Sequence, residues 1–171
     1  FDLGESPVDG YKYWLEEGAG VAVSGGKIYK LEFASSTKTE LIGAVIEAGS
    51  TANYAQDGTY LFVCNGGSIA YIDSSFSVNL ISSSGLPSAI SRISYFDNYL
   101  LALDVVTGRI YFSGNNDGSP NSLNFEADNF FSATRDSDKT VWFESFFNEI
   151  LVIGTKTIQS FYNDGTTPFK D

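Results

Sequence analysis

The feature that most constrains this chain is a short β-unit that occurs four times. Each copy has an apolar run, a turn that contains glycine and a second apolar run, and the clearest copy is Asn98–Gly114. Runs of four or five residues rich in β-branched and aromatic side chains, with Gly, Asn or Asp at their ends, are typical of paired strands. Glycine adopts the positive φ of a tight hairpin turn at little steric cost. The chain is therefore predicted to be built from β-hairpins.

These hairpins recur at a regular distance. An isoleucine follows each turn, and the spacings are 41, 41 and 48 residues between Ile28, Ile69, Ile110 and Ile158. A period of about 40–50 residues with several strands in each period is typical of β-propeller blades. The sequence thus predicts an all-β fold, a β-propeller, in one domain over residues 1–171. Its four blade-like antiparallel units cover residues 11–48, 51–84, 90–127 and 140–171.

Four such units are fewer than most propellers contain. Nothing in the last unit resembles an outer strand, and the sequence contains no methionine. An open arc of blades would also leave unpaired strand edges, which native proteins avoid. We therefore expect an incomplete ring in a trimmed or internal part of a longer protein, closed by further chain or by a partner.

Within the units, the apolar segments predict where the strands lie. Tyr11–Leu15 is predicted to be the inner strand of the first unit. Leu41–Ile46 is predicted to be its outer strand, because β-branched residues and Gly43 favour strand over helix. In the third unit, Leu123–Ala127 predicts a short strand and Asp128–Lys139 an exposed connection. These boundaries are expectations for the structure to test.

The composition excludes several kinds of site. With 43% hydrophobic and 15% aromatic residues, the chain has ample apolar surface for a core. It has no histidine and one cysteine, which removes His-based metal sites, the usual base of nucleophilic triads and any internal disulfide. Cys64 ends an apolar run and is predicted to be a buried thiol. No apolar run approaches the roughly 18–20 residues that span a bilayer, and the N-terminus lacks the basic region of a signal peptide.

The charge of the chain is strongly acidic. Its net charge is −11, from 21 acidic and 10 basic residues. Direct binding to nucleic acid is disfavoured, because phosphate contacts need clustered Lys and Arg side chains. The acidic surface either serves solubility alone or repels DNA that passes nearby.

Two patterns suggest metal or carboxylate chemistry, and each has a simpler structural explanation. Asn115–Gly118 resembles a calcium loop, but with Gly118 in sixth place the twelfth residue is Asn124, so the acidic bidentate ligand is missing. A turn between strands explains these residues better. Sialidases clamp a carboxylate with arginines, but Arg109 and Arg135 belong to different kinds of segment, and convergence with Arg92 is not indicated.

Other residues that could act on a glycoside are also more consistent with structural roles. Glu16-Glu17, or Asp136 with Asp138, could serve as paired carboxylates, although adjacent charges in turns are usually only solvated. Trp14 and Trp142 begin units in equivalent places, and we predict that they pack between blades instead of stacking on sugars.

The second half of the chain carries a series of short motifs. They are Tyr95-Phe96-Asp97, Gly108–Ser113 followed by Asn116-Asp117-Gly118, Leu123-Asn124-Phe125, Gly154-Thr155-Lys156-Thr157-Ile158, Phe161–Gly165 and Pro168-Phe169. Through these motifs, residues 93–171 resemble the packaged-DNA stabilisation proteins of short-tailed bacteriophages, also described as tail accessory factors or tail hub proteins. The first half shares only the blade pattern.

The resemblance implies a virion structural protein of the tail hub or neck. Such a protein attaches below the portal and helps to retain the packaged DNA until ejection, without catalysis and without a cofactor or metal. The implied partners are other phage tail and portal proteins and further copies of the chain, with double-stranded DNA passing nearby without specific binding and no membrane. The implied locations are the virion and, during assembly, the host cytoplasm.

Two aromatic-rich segments, Asn124–Phe131 and Trp142–Phe147, are predicted to anchor the neighbouring proteins, since aromatic side chains dominate the energetics of interfaces. The candidate residues are Phe125, Phe130, Phe131, Trp142, Phe146 and Phe147. The alternative is a carbohydrate-binding or glycan-processing β-propeller. That alternative predicts exposed aromatic side chains and carboxylates together in one pocket.

Overall fold

The computed structural model describes residues 1–4, 6–44, 46–116, 119–133, 138–165 and 169. Regular structure in these residues consists of fifteen β-strands. None of the described residues belongs to a helix that is long and apolar enough to cross a membrane. The chain divides into two compact units, Phe1–Ile81 and Ser82–Asp171.

The first unit contains two four-stranded antiparallel sheets. Sheet one consists of β1 (Val8–Trp14), β2 (Ala19–Ser24), β3 (Lys27–Glu32) and β4 (Thr37–Leu41). Sheet two consists of β5 (Asn53–Gln56), β6 (Leu61–Cys64), β7 (Ile69–Ile72) and β8 (Val78–Leu80). In both sheets the strands lie side by side in chain order, as expected for strands that are joined by short turns.

The second unit repeats this arrangement. Sheet three consists of β9 (Ile90–Phe96), β10 (Tyr99–Asp104), β11 (Arg109–Asn116) and β12 (Ser119–Phe131). Sheet four consists of β13 (Thr140–Phe146), β14 (Glu149–Gly154) and β15 (Ile158–Tyr162), so it has three strands within the described residues. All four sheets are therefore simple antiparallel meanders.

The four marker isoleucines occupy matching places in these sheets. Each lies at the start of the third strand and faces the second strand across the hairpin. The pairs are Ile28 with Val23, Ile69 with Cys64, Ile110 with Leu103 and Ile158 with Ile153. The predicted repeat is thus confirmed. The four isoleucines differ in exposure. Ile28, Ile69 and Ile110 are fully buried, whereas Ile158 is 69% exposed.

Each unit has its own hydrophobic core between its two sheets. In the first unit, Val21 and Val23 of sheet one pack with Leu61 and Val63 of sheet two. In the second unit, the core includes Leu101, Leu103, Ile110, Phe131, Phe143, Ile150, Val152, Phe161 and Phe169. Burying each of the aliphatic or phenyl side chains stabilises the fold by about 1.5–3 kcal/mol.

The prediction of an outer strand at Leu41–Ile46 is wrong. The outer strand of sheet one is Thr37–Leu41, and its last residue pairs with Ile28. An edge strand that faces water favours charged and polar side chains, so the apolar segment after it was a misleading signal. Beyond that strand, the backbone at Val78 approaches Gly43 closely. A Cβ on Gly43 would lie 2.2 Å from the carbonyl oxygen of Val78, so only glycine fits at this position.

The prediction of an exposed connection at Asp128–Lys139 is also wrong. The short strand expected at Leu123–Ala127 is part of β12, which has 13 residues and continues to Phe131. Register shifts around Ser113 allow β12 to follow β11 along its length. Beyond β12, Ala133 and Asp138 are buried, and residues 134–137 lie outside the described residues.

Candidate interaction surface

The structure separates the six predicted anchor residues into a buried and an exposed group. Phe125 is 2% exposed and Phe131 is 8% exposed, so the prediction that they contact a partner is wrong. Phe131 pairs with Ile110 on β11 and stacks on Phe169, with 4.8 Å between ring centroids. Because β12 carries them into the core of the second unit, they stabilise the fold instead.

Phe130, the neighbour of Phe131, faces the other side of sheet three. Its ring lies 5.7 Å from that of Tyr111, and the Arg109 guanidinium lies 4.0 Å from its centroid. Phe130 is half-buried. Its role as an anchor stays a prediction.

Two of the exposed anchors, Trp142 and Phe146, lie on one face of sheet four, which we call the open face. Paired residues of adjacent strands lie on the same face of a sheet. The open face therefore consists of Trp142, Glu144 and Phe146 of β13, Glu149, Leu151 and Ile153 of β14, and Ile158, Ser160 and Tyr162 of β15. On the opposite face, Phe143, Ile150 and Phe161 are buried.

The open face is apolar and exposed. Phe146 is 58% exposed, Tyr162 is 46% exposed and Trp142 is 45% exposed. In sheets one and two, every residue of the second strands β2 and β6 is buried. The second strand of sheet four, β14, is only partly buried. Sheet four is thus a blade-like sheet whose open face exposes Trp142, Phe146, Ile158 and Tyr162.

Trp142 is held in place by Arg92 of sheet three. The Arg92 guanidinium lies 3.6 Å from the centroid of the indole ring, its Nε donates to the carbonyl of Phe143 at 2.6 Å, and the same side chain forms an ion pair with Glu144. A cation over an aromatic face and a fixed guanidinium reduce the freedom of the indole. Trp142 is therefore a pre-organised part of the open face.

The prediction that the two tryptophans occupy equivalent places is wrong. Trp14 pairs with Ala19 beside the first hairpin turn and is 2% exposed, whereas Trp142 pairs with Ile153 far from its turn. Trp14 packs edge-on against Phe76, at 5.7 Å between centroids. Trp14 is thus a core residue, as predicted, and Trp142 is a surface residue.

The turn after β13 carries a further exposed aromatic side chain, that of Phe147. Phe147 is 87% exposed and has a φ of +53°. Phe147 and Asn148 form the two-residue turn between the paired residues Phe146 and Glu149, and such hairpin turns need positive φ at a central residue. Phe147 contacts Phe146 edge-on, with 4.6 Å between centroids.

Beside this turn is a cleft of about 470 Å³, lined by Tyr95, Phe96, Asp97, Phe147, Asn148 and Asn163. Its walls are the first hairpin turns of sheets three and four and the residue after β15. The side-chain amide of Asn163 donates to the Asp97 carboxylate, and its oxygen accepts from the Gly165 N–H at 3.0 Å. The polar wall of the cleft is thus fixed by its own hydrogen bonds.

The Gly154–Ile158 motif forms the turn between β14 and β15, and Asp138 holds it. The Asp138 carboxylate accepts hydrogen bonds from the N–H and hydroxyl of Thr155, the N–H of Lys156, and the N–H and hydroxyl of Thr157. These bonds, led by that from the Thr155 hydroxyl, hold the pKa of Asp138 well below its usual range. A Cβ on Gly154 would lie 2.0 Å from Asp138 Oδ2, which explains the glycine.

Asp138 therefore acts as a structural clamp. Its predicted alternative role in a catalytic pair needs Asp136, which lies outside the described residues. Glu16 and Glu17 lie in the turn after β1, where Glu16 is exposed and Glu17 is half-buried. The sequence analysis named Asp138 only as one of a carboxylate pair. It missed the clamp role, because no local pattern links an aspartate to a turn 17 residues later.

Other motifs of the second half meet in one aromatic cluster. The Phe169 ring lies 5.4 Å from Tyr99, 5.1 Å from Phe112 and 4.8 Å from Phe131, and Phe96 is 6.5 Å away. Motifs that are separated in sequence thus share one packing site.

The remaining candidate sites do not come together. Arg92 pairs with Leu103 and Arg109 pairs with Asp104, so the two arginines point to opposite faces of sheet three. Arg135 lies outside the described residues, as do Asp117 and Gly118 of the calcium-like loop. Within the described part of the chain, no group of three or more His, Cys, Asp or Glu side chains is placed to hold a metal ion.

No family model matches the chain, and no curated protein is significantly similar to it in sequence. Its fold is similar to those of solved structures. The dihydro-heme d1 dehydrogenase NirN has a TM-score of 0.66 at 11% identity, over 100% of this chain and 37% of that one. Virginiamycin B lyase from Staphylococcus aureus has a TM-score of 0.61 at 11% identity, over 98% of this chain and 59% of that one.

A third similar structure is the Cps50 (Swd1) β-propeller domain of Myceliophteria thermophila. Its TM-score is 0.60 at 10% identity, over 98% of this chain and 59% of that domain. The chain thus spans less than two thirds of the length of each of these structures. At such low identity the similarity establishes the fold alone, and the chain has an all-β, β-propeller fold.

Proposed function

We propose that this chain is a structural protein of a phage virion, part of the tail hub or neck below the portal, and that it helps to retain packaged DNA until ejection. The proposal follows from the resemblance of residues 93–171 to packaged-DNA stabilisation proteins. It gives the chain no catalytic role and no cofactor. The observation that carries it is the open face of sheet four.

The open face has the composition of a protein interface. Trp, Tyr and Arg are enriched among the residues that contribute most to binding, and charged residues are found at the rim. Here Trp142 and Ile158 flank Ile153 across the sheet, and Phe146 and Tyr162 flank Glu149 nearer the other end of the strands. Glu144 lies on the same face. The partner in the proposal is an apolar surface on another tail or portal protein, or on a further copy of the chain.

The acidic charge is consistent with DNA retention that does not depend on binding. Double-stranded DNA carries about one charge per 1.7 Å of its axis, so a basic surface would hold it and hinder its exit. A net charge of −11 repels the duplex, although exposed charges act only over about 8–10 Å at physiological salt. In the proposal, retention is therefore steric and results from rigid sheets and their contacts with neighbouring proteins.

The experiment compares particles that carry the wild-type chain with particles that carry Ile158→Asp. Ile158 is 69% exposed, so the substitution changes the open face without entering the core. Val106→Asp is the matched control, because Val106 is 71% exposed in the turn after β10. The readouts are the amount of the chain in purified particles, by quantitative mass spectrometry, and the DNA content of those particles.

We expect the Ile158→Asp chain to be depleted from particles, with an increased fraction of empty heads, and Val106→Asp to behave as the wild type. Absence of the wild-type chain from particles would overturn the proposed function. Full incorporation and full DNA content with Ile158→Asp would show instead that the open face is not the attachment surface.

A further inference from the structure

The cleft beside Phe147 has the features of a binding site for a small polar ligand. Its volume of about 470 Å³ lies within the usual range of small-molecule sites. It combines one highly exposed aromatic ring with three planar polar side chains, those of Asp97, Asn148 and Asn163. We propose that this cleft binds a neutral saccharide, which is a function beyond the structural role proposed above and independent of it.

The aromatic wall is suited to the apolar face of a sugar ring. Phe147 is 87% exposed at the tip of its turn, and its edge-on contact with Phe146 limits its motion. The face of an aromatic ring carries partial negative charge, which attracts the partially positive C–H groups of a pyranose. An exposed ring whose motion is already limited loses little freedom when a ligand stacks on it.

The polar wall is suited to sugar hydroxyl groups. Carboxylates and amides present two polar atoms in one plane, so they can bond two adjacent hydroxyls at once. Asp97 and Asn163 already fix each other, and Asp97 lies in a turn whose two residues have φ of 49° and 68°. The Asp97 carboxylate has more acceptor sites than its bond from Asn163 occupies. Little ordering of these groups is then needed when a ligand binds.

The charges of the site select against other ligand classes. Among the described residues, the lining contains Asp97 and no lysine or arginine, so these residues disfavour phosphates, uronic acids and other anions. Its three polar side chains disfavour lipids, which require a predominantly apolar pocket. An uncharged ligand with an apolar face and several hydroxyl groups satisfies both walls.

The test uses NMR titration of the whole chain with glucose, galactose, mannose, N-acetylglucosamine and their disaccharides, each up to its solubility limit. We expect chemical-shift changes centred on the amides of Asp97, Phe147 and Asn148 with at least one of these sugars. Phe147→Asn removes the ring and keeps a residue that tolerates positive φ. It should weaken binding at least about tenfold, the change that 1.4 kcal/mol of lost contact produces.

Phe33→Ala is the control, since Phe33 is an aromatic residue, 48% exposed, that does not line the cleft. It should bind like the wild type. The inference is overturned if no neutral sugar shifts these amides, if the shifts lie elsewhere, or if Phe147→Asn binds unchanged while its spectrum remains that of a folded protein. None of these outcomes bears on the attachment of the open face.

Discussion

Replacing Phe131 with alanine should destabilise the second unit strongly, because this side chain belongs to its core. The ring is 8% exposed and is stacked on Phe169 at 4.8 Å between centroids, with Phe161 at 5.0 Å. Phe→Ala substitutions in cores cost about 3–5 kcal/mol, and each aromatic pair adds about 0.5–1.5 kcal/mol beyond its burial. Two close partners place the expected loss at about 4–5 kcal/mol.

The matched control is Phe130→Ala, one residue earlier in the same strand. Phe130 is half-buried, and its substitution removes the contact with Tyr111 and the cation–π contact with Arg109. We expect a loss of about 1 kcal/mol, typical of an aromatic contact and a cation–π contact near the surface. The two variants therefore alter opposite faces of sheet three at neighbouring positions of one strand.

The assay is urea unfolding combined with amide hydrogen exchange, so that the loss can be assigned to the second unit. At about 2–4 °C per kcal/mol, Phe131→Ala should also lower Tm by about 8–20 °C. Equal losses for the two variants, or a larger loss for Phe130→Ala, would refute the assignment of Phe131 to the core.

Three further predictions concern single residues. The pKa of Asp138 is lower in the folded state than the unfolded value of about 3.9, so the ionised carboxylate stabilises the fold above about pH 4. This stabilisation is lost as the pH falls towards the folded pKa. Asp138→Asn should therefore lower stability at pH 7 and make stability depend less on pH in acid, as measured by circular dichroism. Burial raises the pKa of the Cys64 thiol to about 11, so it should react with Ellman's reagent only as fast as the protein opens, and rapidly in urea. Gly85→Ala should cost about 1–3 kcal/mol in urea unfolding, because its Cβ would lie 2.3 Å from the Phe125 carbonyl oxygen.

Much of the fold could be predicted because hairpins depend on local chemistry. In the turn of Asp97 and Asn98 both residues have positive φ, as a two-residue hairpin turn requires. At Asp57, the carboxylate accepts hydrogen bonds from the N–H groups of Thr59 and Tyr60. Such turns act within a few residues, so the sequence shows them directly.

The candidate site was harder to predict. Phe131 and Phe146 occur in similar aromatic segments, yet one is 8% and the other 58% exposed. Register shifts in β12 decide which phenylalanine enters the core, and such shifts have a weak sequence signal. The cleft at Asp97 and Asn163 joins residues 66 positions apart, which no local pattern connects.

The sequence by itself determined the four hairpins, their period and the burial of Cys64, because turn residues and apolar alternation act over a few positions. Only the tertiary structure decided that Phe146 and Ile158 of sheet four are exposed, that Asp138 clamps the Gly154 turn, and that Phe147 borders a polar cleft. The physical reason is that the exposure of a sheet face depends on what packs against it from distant parts of the chain. The same apolar strand is core or surface according to that neighbour.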